Sequence, residues 1–177
     1  MTVIVFIILG LILIILQATV LMLNPLWVAA PDLYYILVAY LAYRFDLVRA
    51  LFIILPLGWM LDTVSGVILG TYPFICFGAF FLLRFMSIKM PVRESLYQIP
   101  LVGVSYLVVC RIVFVILDFL NPGTLVPWSW PEMFVRALLI ILLAVPMFRF
   151  FEFVNQRLLR SFSSFRIMRV RSGNRYR

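Results

Sequence analysis

From Thr2 to Leu23 the chain carries no charge at all, and Asn24-Pro25 closes the run. Roughly 20 consecutive apolar residues in a helix cross a bilayer core. Further apolar segments follow at Leu26–Tyr43, Leu47–Val64, Val67–Leu83, Ser95–Leu120 and Trp130–Val154. The 177 residues are 66% apolar and 12% charged, against about 25% charged in a soluble domain. One small core cannot absorb that excess. The expected fold is all-α, a polytopic membrane domain over 1–156 with an Arg-rich tail over 157–177.

The second segment is the irregular one. Pro31-Asp32 interrupts it and leaves only the stretch from Leu33 to Tyr43. It is expected to be tilted, thin or partly re-entrant, and whether it is a full span stays open. The N-terminal run has no basic flank and no small-residue cleavage site, so it reads as a retained span.

Charge gives the orientation. Lys and Arg occur between spans two and three (Arg44, Arg49), between four and five (Arg84, Lys89, Arg93), and at the end of six and beyond it (Arg149, Arg157, Arg160, Arg166, Arg169, Arg171, Arg175, Arg177). Thirteen of the fifteen cations thus fall on one side in strict alternation. The positive-inside rule then predicts six spans with both termini cytoplasmic. It also accounts for the net charge of +8 without nucleic acid. The tail carries seven Arg between Arg157 and Arg177, with Phe162, Phe165, Ile167 and Met168 interleaved. It is expected to lie on anionic lipid.

The chain has no His, and its two cysteines, Cys76 and Cys110, sit inside apolar runs. No metal-ligand spacing, disulfide framework or nucleophile–base set is recognisable. We expect no catalytic residue, no cofactor and no metal.

The densest pattern is Gly58-Trp-Met-Leu-Asp62-Thr-Val-Ser65-Gly66-Val-Ile-Leu-Gly70. Asp and Ser side chains can cap a helix start, and glycines permit a tight reversal and close helix contact. A capped hairpin between two helices is preferred over a ligand site. Together with Pro31-Asp32 and the basic turn at Arg44–Arg49, this stretch resembles the bacterial rod shape-determining MreD family. That family shows Pro-Asp opening its second span and then Gly-x-x-x-Asp-x-x-Ser-Gly-x-x-x-Gly. The motifs cover about a third of the chain.

The resemblance implies a non-enzymatic scaffold of the elongasome, which directs lateral peptidoglycan synthesis and maintains rod shape. The implied partner is an MreC-like bitopic protein. Through it the chain would connect to the MreB filament, the RodA glycosyltransferase and its penicillin-binding transpeptidase. The family is also similar in architecture to the substrate-binding subunits of energy-coupling-factor vitamin transporters. A small-molecule-binding transporter subunit is therefore the alternative function.

Arg111 stands out on physical grounds. It lies about 22 Å along span five from Leu96, in the outer half of the hydrocarbon, where an unpaired ion is costly. An inward Arg111 paired with Asp118, Asp62 or Asp32 is expected. Ser129-Trp-Pro-Glu132 reads as a capping box, with Glu132 and Arg136 a local helical pair. Candidate structural or partner-binding residues are Asp32, Gly58, Asp62, Ser65, Gly66, Gly70, Arg111 and Asp118.

Overall fold

The computed structural model describes residues 2–21, 31–66, 70–89, 95–120 and 128–172, excepting the side chains of 20, 21, 89, 95–97 and 159–172. All regular structure among them is helical: α1 (Thr2–Leu16), α2 (Leu33–Arg44), α3 (Leu47–Ser65), α4 (Thr71–Lys89), α5 (Ser95–Leu120) and α6 (Trp130–Ser172). Gln17–Leu21 continues α1 as a π-helical turn. Five helices are long and apolar enough to cross a bilayer, over Thr2–Thr19, Leu47–Ser65, Thr71–Ile88, Gln98–Leu120 and Trp130–Leu158. The chain is a multi-pass membrane protein.

α2 is the exception. Its 12 residues extend about 18 Å, well short of the roughly 30 Å hydrocarbon core. Every residue from Leu33 to Ala42 is buried. A helix that is apolar all round belongs inside its protein or its membrane, and α2 packs against all five other helices. The spanning helices contact one another in the order α1, α3, α4, α5, α6, forming an arc around it. The short segment expected from Pro31-Asp32 is therefore the axis of the domain.

The surrounding helices show the helical period of inward residues. On α1 and its π-turn these are Phe6, Gly10, Leu13, Ile14 and Gln17; on α3 they are Ala50, Ile53, Ile54, Leu57, Gly58, Leu61 and Asp62. The intervening large apolar residues, Ile8 and Ile12 or Phe52 and Trp59, are exposed, as lipid-facing residues must be. Successive helices run antiparallel. Gln17 at the end of α1 meets Asp32 at the start of α2, and Phe6 near the start of α1 stacks on Tyr40 near the end of α2. Arg44, Arg49 and Arg84 consequently gather at one end of the bundle, and Asp32 and Asp62 at the other.

The boundary expected at residue 157 is not a break in secondary structure, because α6 continues without interruption to Ser172. The expected lipid contacts of the distal tail fall on side chains outside the described set. Segments 22–30, 67–69, 90–94 and 121–127 also lie outside it.

Candidate functional site

A short helix enclosed by its neighbours still has orphan N–H and C=O groups to satisfy at its ends. At its N-terminal end Gln17 does this. Its Oε1 accepts the Leu33 N–H at 3.1 Å while its Nε2 donates to Asp32 Oδ1 at 3.0 Å. Tyr106 on α5 donates its hydroxyl to Asp32 Oδ2. Arg136 on α6 hydrogen-bonds Tyr106 and acts electrostatically on both Tyr106 and Asp32. Asp32 also places a negative charge at the positive end of the α2 dipole. Side chains from three elements thus gather around one carboxylate. At the opposite end Arg84 on α4 donates to the carbonyls of Ala42 and Phe45, a cation at the negative end of the same helix. Both ends of α2 are closed by side chains from its neighbours.

Asp62 serves the α3–α4 hairpin. Its Oδ2 accepts the Gly70 N–H at 2.6 Å and its Oδ1 the Tyr72 N–H at 2.9 Å. Gly66 ends α3 in the left-handed region (φ 63°), donating its N–H to the Asp62 carbonyl, and Gly70 has φ 99°. Such angles strain any residue with a Cβ. Ser65 hydrogen-bonds the Tyr72 hydroxyl. A Cβ at Gly58 would meet Pro73 Cα at 3.0 Å, so its absence lets α3 and α4 close up. The capped hairpin expected from Gly58, Asp62, Ser65, Gly66 and Gly70 is present, and each of these residues has a local structural task. Tyr72 joins the two acidic centres. Asp62 holds its backbone, both Asp32 and Asp62 act on it electrostatically, and its ring packs edge-on against Tyr34 at 5.6 Å.

Arg111 and Asp118 do not join this cluster. The guanidinium of Arg111 lies 5.2 Å from the Trp128 ring centroid, 5.6 Å from Trp130 and 5.7 Å from Phe114. Asp118 is exposed near the end of α5. Arg44 pairs with Glu152 and Arg49 with Asp46, and neither pair involves Arg111. The expected pairing of Arg111 with Asp32, Asp62 or Asp118 is therefore replaced by an aromatic cage, in which ring quadrupoles stabilise the cation. Arg111→Leu is expected to cost about 1–2 kcal/mol, the range for a partly desolvated cation–π contact. Thermal unfolding in detergent checks this. A larger loss that Asp118→Asn rescued would instead reveal an ion pair.

Sequence reasoning missed Gln17, Tyr106 and Arg84, and assigned Arg136 only to Glu132. Gln17 was the most readable signal, being the one amide in the apolar run from Thr2 to Leu23.

Tyr residues complete the polar lining of α2. Tyr35 shares a hydrogen bond with Ser105 at 3.0 Å, and Tyr40 donates to Glu152 Oε2 at 3.1 Å. Each hydroxyl thereby fixes the register of α2 against a neighbour, α5 or α6. In a medium without water, such contacts also avoid an unsatisfied group.

Compared with protein-family models, curated proteins and solved structures, the chain matches none.

Proposed function

We propose that this chain is a non-enzymatic membrane scaffold of the MreD type. It binds the transmembrane segment of an MreC-like protein and helps position lateral cell-wall synthesis in a bacterial inner membrane. The Arg-rich end then faces the cytoplasm, as the charge asymmetry between loops favours. One observation carries the reading: the two carboxylates at the helix ends opposite the Arg-rich end, Asp32 and Asp62, are engaged by the chain itself. Asp32 is held by Gln17, Tyr106 and Arg136, and Asp62 by the backbone of the α3–α4 hairpin. A substrate-binding subunit would turn such groups toward a ligand, whereas a scaffold uses them to hold a rigid bundle.

The spanning helices leave wide apolar outer faces for a partner helix, including Phe52 and Trp59 on α3 and Phe74 and Phe81 on α4. The test is photo-crosslinking in cells from probes at outward positions on each of the five spanning helices. Capture of a single-span MreC-like protein from one contiguous face is expected. Capture of an ATPase-linked transport complex, or no such partner from any face, would overturn the proposal.

A further inference from the structure

At the Arg-rich end, α2, α5 and α6 surround a cleft of about 440 Å³, within the size range of small-molecule sites. Its polar wall includes Tyr43, Arg44, Arg149 and Glu152, and its apolar wall includes Val145 and Phe148. Glu152 is already engaged by Tyr40 at 3.1 Å, Arg44 at 3.5 Å and Gln156 at 3.3 Å. Arg149 has no ion pair among the described residues. The Tyr43 hydroxyl oxygen is shielded from solvent and has no hydrogen-bond partner among them either. Two guanidinium groups and one carboxylate leave the cleft with one net positive charge. Its free donors are a cation and a phenol.

Depth narrows the class of ligand. On α6, the rise from Trp130 to Glu152 is about 33 Å along the helix. That is close to the thickness of the hydrocarbon core, roughly 30 Å. With Trp130 at one interface, where Trp is favoured, the cleft stands at the phosphate level of the opposite leaflet. A phospholipid there offers a single negative charge and hydrogen-bond acceptors to Arg149 and Tyr43. Its acyl chain continues along Val145, which is 41% exposed beside the cleft.

We infer that the cleft between α2, α5 and α6 is a headgroup site for an anionic phospholipid of the leaflet at the Arg-rich end. Arg149 binds the phosphate oxygens, a shift of the Tyr43 side chain brings its shielded hydroxyl to them, and Val145 and Phe148 bind the start of the acyl chain. The excess positive charge selects against headgroups carrying a compensating ammonium. This site is independent of the scaffold reading, since it requires only that the chain span a bilayer.

Native mass spectrometry of the full-length protein in neutral detergent, titrated with phosphatidylglycerol or phosphatidylcholine, tests the inference. Phosphatidylglycerol is expected to bind about tenfold more tightly. Arg149→Gln should weaken its binding about tenfold and Tyr43→Phe several-fold, as expected for losing a charge-assisted and a neutral hydrogen bond. Arg49→Gln removes the same charge from an exposed turn at the same end and should leave binding unchanged. Equal effects of Arg149→Gln and Arg49→Gln would overturn the site in favour of diffuse attraction to the basic surface. Competition by soluble glycerol phosphate at the lipid's own concentration would reassign the cleft to a free phosphate ester. Capture of a protein rather than lipid by a photo-crosslinker at Val145 would make it a docking groove and likewise overturn it. Arg149 is exposed and Tyr43 partly so, and monodisperse elution of both variants verifies their folding.

Discussion

Arg136→Leu is expected to destabilise the protein by about 1.5 kcal/mol, the lower end for a hydrogen bond to a charged group, since Arg136 and Asp32 are both half-buried. The reason lies in what it leaves behind. Asp32 sits at the start of α2 with both carboxylate oxygens engaged, by Gln17 and Tyr106, while Arg136 supplies the compensating charge through Tyr106. Without it, Asp32 must keep an uncompensated charge in low dielectric or take up a proton and reorganise its acceptors. Either outcome loosens the N-terminal end of the central helix. The double variant Arg136→Leu/Asp32→Asn removes both charges and retains one acceptor oxygen, so it should recover most of the loss. Unfolding in mixed micelles of increasing denaturing-detergent fraction measures both differences. A single variant as stable as the wild type would show that Arg136 is not the counter-charge of Asp32. Failure of the double variant to improve on the single one would show that Arg136 acts by packing rather than charge.

Asp62→Ala is the second large effect. It strands two backbone donors, the N–H groups of Gly70 and Tyr72, at a side chain that is only 3% exposed. An unsatisfied buried donor costs about 1–3 kcal/mol, and lipid offers no water in exchange. The expected loss for the two donors together is about 4 kcal/mol, divided between the α3–α4 hairpin and the seat of Tyr72 against Tyr34. Asp62→Asn keeps one acceptor oxygen but turns its amide toward the other donor, so it should fall between Ala and the wild type. The same unfolding assay ranks the three proteins. A disulfide between engineered cysteines across the hairpin reports whether α3 and α4 separate. Equal stability of Asp62→Ala and the wild type would mean that the two donors find other partners.

The class of protein was legible from the sequence, because long uncharged segments in water admit few outcomes other than membrane helices. The hairpin around Asp62 was legible too. Its capping acid, helix-ending glycine and second positive-φ glycine all lie between Asp62 and Gly70, and their chemistry is local. The short second segment was visible from Pro31-Asp32, since Pro disfavours helix in the residue before it and supplies no N–H.

Only the tertiary structure decided which polar residues meet. Tyr106 and Arg111 are five positions apart on α5, which turns their side chains about 140° from each other. With Tyr106 buried against α2, Arg111 must face elsewhere, and it finds the aromatic rings of Phe114, Trp128 and Trp130. Arg136 keeps the influence of its neighbour Glu132 one helical turn away and in addition serves Tyr106 and Asp32, which come from distant parts of the chain. Gln17 lies about three helical turns beyond Phe6 and so shares its inward face. Apolar periodicity does not pick out that face, because α1 is apolar on every side; Gln17 is the one inward mark in the run. Hydrophobicity by itself determined that the helices enter the membrane, but not where each ends, since α4 and α6 run on past their apolar segments to Lys89 and Ser172. Which side of each helix turns inward was decided by hydrogen bonds and charges around α2, and those partners come from distant parts of the chain.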